Sequence, residues 1–182
     1  MNTNLQLDKY HIILIGFKHV GKTSIGAELA KRLSKDFIDL DRVLELEHPK
    51  LLCRQIMEIY GNEYFRKKES IALEKSLCSR PSVIALGGGA LLSQNNCLLI
   101  KRHLIIHITA PSQIVFDRIL KGDLPAYYPT DQDPRDYFEQ LWVRTKAICD
   151  NLTDNVVNND QAIDVSVREA LKLLSDKAEK LP

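Results

Sequence analysis

Gly16-Phe17-Lys18-His19-Val20-Gly21-Lys22-Thr23 is the stretch on which the reading of this chain turns. It fits Gly-x-x-x-x-Gly-Lys-Ser/Thr, a loop that wraps a phosphate in backbone N–H groups. The flanks supply the context such a loop needs. Residues 10–15 form a short β-branched apolar run, suited to a strand buried on both faces. Residues 23–33 carry Ile25, Leu29, Ala30 and Leu33 at the spacing of an amphipathic helix. A helix starting there adds a fixed partial positive charge behind the phosphates. Gly21 lets the backbone approach closely, Lys22 reaches the β- and γ-phosphates, and the Thr23 hydroxyl ligates Mg²⁺. Gly16, His19, Val20 and Ser24 complete the candidate nucleotide-contacting set on this loop.

Working outward, strand and helix patterns alternate. Strands are predicted at 37–41, 83–86 and 103–108, with a short edge strand at 155–157. Helical patterns occupy 56–77 (one or more helices), 112–120, 137–150 and 165–180, and a Pro- and Tyr-rich loop runs over 122–134. Short apolar strands alternating with helices predict an α/β fold, a parallel sheet covered on both faces. Ligands bind at the carboxyl ends of such strands, and three further motifs fall there.

The first is Phe37-Ile38-Asp39-Leu40-Asp41. Residues two apart on a strand face one side, so both carboxylates are expected at the phosphate end. Asp39 is a candidate to hold Mg²⁺ through a water, and Asp41 to accept a hydrogen bond from a substrate hydroxyl. The second is Gly61-Asn62-Glu63-Tyr64-Phe65-Arg66-Lys67-Lys68-Glu69, where Arg66 and Glu69 meet on one helix face. A guanidinium held by a carboxylate is a rigid bidentate receptor for a substrate carboxylate. The third is Gly87-Gly88-Gly89, a place for a ligand to lie against bare backbone. Taken singly, each has an ordinary alternative: a solvated strand end, a surface ion pair, a flexible turn.

Composition narrows the classes. The 182 residues suit one domain, 1–182, with 45% apolar and 27% charged residues. With 25 Lys plus Arg against 24 Asp plus Glu, nothing points to nucleic acid or an acidic membrane surface as partner. Cys53, Cys78, Cys97 and Cys149 are scattered, without a Cys-x-x-Cys pair or zinc-finger spacing. Isolated thiols fit a reducing compartment. No run approaches the ~20 apolar residues of a membrane span. The polar first nine residues lack the pattern of a secretory signal and read as a short leader. The expectation is a cytoplasmic protein.

In this order, the phosphate loop, the Phe-x-Asp-x-Asp strand end, the Gly-x-x-x-Phe-Arg-x-x-Glu helix and the triple glycine resemble the shikimate kinase family over residues 10–175. Arg144 lies where that family has its last substrate arginine. The resemblance implies a three-layer α/β/α P-loop kinase of the nucleoside-monophosphate-kinase type, with a five-stranded parallel sheet and a mobile lid, here roughly 121–137. It implies ATP-dependent phosphorylation of the 3-hydroxyl of shikimate with Mg²⁺, with ATP and shikimate as the small-molecule substrates, no nucleic acid or membrane partner, and a monomeric state. Arg66 and Arg144 would grip the carboxylate, and Asp41 would hold the ring hydroxyls and position or deprotonate the attacking one. Gly87, Gly88 and Gly89 would line the acceptor site, Glu69 would orient Arg66, and Arg118 would lie along the adenine. Lys22, Asp41 and Arg144 would be the catalytic set, with Thr23 and Asp39 at the metal.

Two departures stand out. His19 and Val20 occupy positions where the family has a glycine and a small residue. The family's lid arginine is replaced within Leu124-Pro125-Ala126-Tyr127, leaving Lys18, Lys121 or Arg135 as substitutes. Ile148 also stands where the family has a tyrosine four residues after its last arginine. The competing expectations are a P-loop kinase for another small acceptor, such as gluconate or a nucleoside monophosphate, and a nucleotide-binding protein with weak or no kinase activity.

Overall fold

The computed structural model describes residues 7–121, 128 and 131–179. Its elements run β1 (Ile12–Ile15), α1 (Lys22–Arg32), β2 (Phe37–Asp39), α2 (Leu40–Glu47), α3 (Cys53–Tyr60), α4 (Asn62–Leu77), β3 (Val83–Ala85), a 3₁₀ turn (Ala90–Leu92), α5 (Gln94–Ile100), β4 (Leu104–Thr109), α6 (Ser112–Leu120), α7 (Pro134–Leu152), β5 (Val156–Asn158) and α8 (Ile163–Ala178). The five strands form one sheet in the order β2-β3-β1-β4-β5, and every pairing is parallel.

The period-two alternation of strand side chains divides the core in two. Ile12 and Leu14 of β1 point into one apolar cluster and Ile13 and Ile15 into the other. The first cluster gathers Ile25 and Leu29 of α1, Val115 and Ile119 of α6, Phe138 of α7, and Val167 and Leu174 of α8. The second gathers Leu40 and Leu44 of α2, Ile56 of α3, Phe65 and Leu73 of α4, Ile100 of α5 and Cys149 of α7. Helices therefore cover both faces, giving three layers. All four β1 residues are fully buried, and each contributes roughly 1.5–3 kcal/mol by leaving water. That rigid central strand presents its carboxyl end, and the phosphate loop, between the ends of β3 and β4.

The elements differ from the sequence reading in three places. The strand expected over 37–41 stops at Asp39, and Leu40 opens α2. Asp39 Oδ1 accepts the N–H of Asp41 at 3.1 Å, so the residue is a helix N-cap. Asp41 therefore stands in the first turn of a helix and not on a strand. Helices α2 and α5 were not legible, being only 8 and 7 residues long, too short to set up a periodic pattern. The tract 56–77, read as one or more helices, holds two that meet at Gly61, whose φ of 85° ends one and starts the next. Helix α7 begins at Pro134, inside the expected loop, because Asp133 caps it through the N–H groups of Arg135 and Asp136.

Candidate active site

The phosphate loop joins β1 to α1 and is held from outside. Asn159, in the β5–α8 connection and 5% exposed, donates from Nδ2 to the carbonyl of Val20 at 2.8 Å. Arg118 of α6 donates to the carbonyls of His19 at 3.2 Å and Asn159 at 3.1 Å. In a trans peptide, C=O and N–H point in opposite directions. Turning the His19 and Val20 carbonyls outward thus turns the N–H groups of Val20 and Gly21 inward, the concavity that binds anions. The backbone reverses through left-handed conformations at His19 (φ 64°) and Gly21 (φ 102°). Val20 between them has a negative φ and is fully buried, so the β-branched residue sits where it carries no strain. Histidine is among the side chains that tolerate the left-handed region best. At Gly21 a methyl group would collide with Asn159 Nδ2.

Lys22 is buried, and its Nζ donates to the carbonyls of Gly16 at 2.9 Å and Phe17 at 2.7 Å. Burial pushes its pKa down to about 8, while Asp41, Cys149 and Asp39 oppose that fall and Lys18 deepens it. Next to it, Thr23 Oγ1 donates to Asp39 Oδ2 at 2.6 Å. One hydroxyl and one carboxylate in contact are hard oxygen donors, the set that holds Mg²⁺ together with substrate phosphates. Among the described residues no group of three or more His, Cys, Asp and Glu forms a dedicated metal cage, which leaves this pair as the donors that fit.

The triple glycine follows β3, adjacent to β1. A methyl at Gly87 would lie 2.5 Å from Asp41 Oδ1 and 2.6 Å from Glu69 Oε1, and one at Gly89 would meet the Arg66 guanidinium. The bare turn is what lets these three side chains converge. Arg66 Nη1 donates to Glu69 Oε2 at 2.8 Å, and Glu69 is 1% exposed. Its other oxygen, Oε1, is buried without a hydrogen-bond partner among the described residues. Burial raises the pKa of Glu69, with Arg66 pulling it back and Asp41 adding to the rise. Burial likewise raises Asp41, reinforced by Asp39 and opposed by Lys22 and Lys18. A carboxylate held above its ordinary range is a better proton acceptor for a hydroxyl near neutral pH.

The structure thus brings together Lys22, Thr23, Asp39, Asp41, Arg66, Glu69 and the glycine turn. Arg144 is exposed on α7 and makes no hydrogen bond or ion pair among the described residues. Arg118 is on the loop carbonyls, and the segment Leu124-Pro125-Ala126-Tyr127 lies outside the described residues. Two contributors were not foreseen. Cys53 donates from Sγ to the Asp41 carbonyl at 3.3 Å, tying α3 to the turn that carries Asp41. Asn159 sits in Asn158-Asn159-Asp160, between the expected edge strand at 155–157 and the expected helix from 165.

A family model described as shikimate kinase matches residues 18–175. A shikimate kinase from Bordetella avium is 33% identical over 147 residues, covering 80% of this chain and 69% of its own. The chain belongs to the shikimate kinase family. A shikimate kinase from Macrococcus caseolyticus is likewise 33% identical, over 86% of this chain and 92% of that one. The shikimate kinase from Acinetobacter baumannii, solved in complex with shikimate, superposes with a TM-score of 0.83 over 96% of this chain and 98% of that one, at 22% identity. The three-layer architecture is therefore the shikimate kinase fold, and the family's enzymes are ATP-dependent kinases.

Proposed function

We propose that this chain transfers the γ-phosphoryl group of ATP to the 3-hydroxyl of shikimate, giving shikimate 3-phosphate for aromatic amino acid synthesis. The observation that carries the reading is the convergence on the glycine turn. A guanidinium fork braced by a buried glutamate lies over Gly89, and over Gly87 lies the Asp41 carboxylate, which feels the charge of the phosphate-loop lysine. A small acid bearing hydroxyls matches that pair, with its carboxylate on Arg66 and its hydroxyls on Asp41.

In the transfer, the acceptor oxygen forms a bond to the γ-phosphorus as the bond to the β–γ bridging oxygen breaks. Asp41 takes the hydroxyl proton, and the electron pair of the broken bond stays with ADP. The inward N–H groups of the loop bind the phosphates, and Lys22 leaves the Gly16 and Phe17 carbonyls to follow the migrating charge. Thr23 and Asp39 would hold Mg²⁺, which supplies charge neutralisation across the phosphates. Arg144 would add a second grip on the acceptor carboxylate, and Arg118 a surface along the adenine.

We assign residues 1–182 to one domain with a lid near 121–137, acting as a monomer in the cytoplasm without nucleic acid or membrane partners. Support comes from the near-balanced charge, the four free cysteines, and, among the described residues, the lack of any helix long and apolar enough to cross a membrane. The test is ADP release coupled to product mass, with shikimate, gluconate and a nucleoside monophosphate offered separately. Shikimate-dependent release and a phosphorylated shikimate are expected. Turnover of another acceptor alone, or of none, would replace this reading by one of its two competitors.

A further inference from the structure

A phosphoryl group in flight carries charge on three oxygens, and a cation placed against it accelerates transfer by orders of magnitude. Most cations around the loop are already engaged. Arg118 holds two carbonyls, and Arg66 is paired with Glu69. Arg135 pairs with Glu139 at 2.7 Å and Gln113 at 2.8 Å, and lies over the Phe116 ring. Lys18 is different. It is half-buried and has no hydrogen bond or ion pair among the described residues. By sequence it belongs to the phosphate loop, but by contact it belongs to the acceptor floor. A methyl on Gly88 would lie 3.4 Å from the Lys18 backbone nitrogen and 3.5 Å from its Cβ, so the side chain starts out from the glycine turn. Its charge is felt on both sides, at Lys22 of the nucleotide site and at Asp41 of the acceptor site.

Building on the proposed function, we propose that Lys18 is a catalytic residue whose ammonium contacts the transferring phosphoryl oxygens on the acceptor side. The acceptor proton goes to Asp41 and the electron pair of the broken bond to ADP. The position explains why a loop with an unusual middle places a lysine there: it is the residue shared by the phosphate cradle and the glycine turn. Because the charge serves the moving group, it acts on turnover more than on nucleotide affinity.

Lys18→Ala, Lys18→Met and Lys18→Arg, made in the full chain, test this. With shikimate, kcat should fall at least about tenfold in the alanine and methionine variants and be largely kept in the arginine variant. The Kd for ADP should stay within about threefold of wild type. A kcat within about threefold of wild type, or an ADP affinity falling as far as kcat, overturns the proposal. A second arm measures ADP with aluminium fluoride and Mg²⁺, followed by fluorescence of Trp142, the single tryptophan, whose ring lies 5.4 Å from that of Phe17. Lys18→Ala should weaken this transition-state mimic about tenfold or more, and equal binding overturns the proposal. If wild type fails to turn over shikimate, the proposed function falls, and the aluminium fluoride arm alone decides Lys18.

Discussion

Asn159 spends every polar group it has on holding the phosphate loop to the rest of the sheet. Its Nδ2 donates to Val20, its Oδ1 accepts from Ser166 Oγ at 3.1 Å, its N–H donates to Thr109 at 2.7 Å, and its carbonyl accepts from Arg118. The loop's inward N–H groups depend on Val20 staying turned out. Asn159→Ala leaves the Val20 carbonyl unpaired in a buried place, at a cost of about 1–3 kcal/mol. The expected kinetic outcome is an ATP KM raised about tenfold with the acceptor KM nearly unchanged. Steady-state kinetics with each substrate varied checks it, and an equal rise in both would mean general loosening of the fold.

Arg66→Lys keeps the charge over Gly89 but loses the fork that spans Glu69 and an acceptor carboxylate. A charge-assisted hydrogen bond contributes roughly 1.5–3 kcal/mol, so the acceptor KM should rise about tenfold or more. The ATP KM should hardly move. An unchanged acceptor KM would place Arg66 outside the site.

Asp41 sits against Asp39 and Glu69 with its carboxyl raised by burial, so in the free protein its charge is a burden on the fold. A carboxylate with a raised folded pKa binds protons more readily folded than unfolded, and stability drops as pH rises through that pKa. Asp41→Asn removes the burden. It should raise Tm by a few degrees at pH 7, at roughly 2–4 °C per kcal/mol for a chain of this size, while turnover falls by about a hundredfold or more. Calorimetry and a kinase assay on one preparation decide it; a lower Tm would show the carboxylate to be a net stabiliser.

Lys22, with its pKa pushed down to about 8, should print that value on nucleotide binding. Phosphates favour the charged lysine, so above about pH 8 the free protein must take up a proton to bind ATP. The ATP KM should be flat below pH 8 and rise about tenfold per unit above it until the bound-state pKa is reached. Lys22→Ala should abolish transfer with the fold intact. A flat profile to pH 9.5 would show that the ammonium is not the group that titrates.

Much of this was legible in the sequence because it is local. The phosphate loop, the Arg66/Glu69 spacing and the triple glycine each lie within a few residues, and strand burial shows as β-branched runs. What escaped was set by distant contacts. Nothing near Asn159 announces that its amide reaches Val20, 139 residues away. Asp41 was placed on a strand because alternation was extended two residues too far, past a cap at Asp39 that only the backbone geometry reveals.

Acid should unfold this protein through its histidines. His11 and His107 are 3% and 4% exposed, and burial lowers the pKa of both, as it does for His103. His11 Nδ1 accepts the N–H of Ser82 at 3.1 Å while Nε2 faces the Leu77 carbonyl at 3.2 Å, an arrangement that only the neutral ring satisfies. The His103 ring meets it edge-on at 4.9 Å, and the Nδ1 atoms of His103 and His107 are buried without a hydrogen-bond partner among the described residues. For a histidine with a depressed folded pKa, the unfolded chain binds the proton first. Stability is therefore fully present above the ordinary value of about 6.5 and is lost as pH falls below it, by at most about 1.4 kcal/mol per pH unit for each extra proton bound. The Tm should hold between pH 7 and 8 and fall by several degrees from pH 6.5 to 5. His103→Gln, which cannot take up a proton, should flatten that slope without removing it, since His11 and His107 still titrate. Differential scanning calorimetry across pH 5–8 on both proteins gives the answer, and parallel Tm–pH curves would mean that His103 takes no part in the acid response.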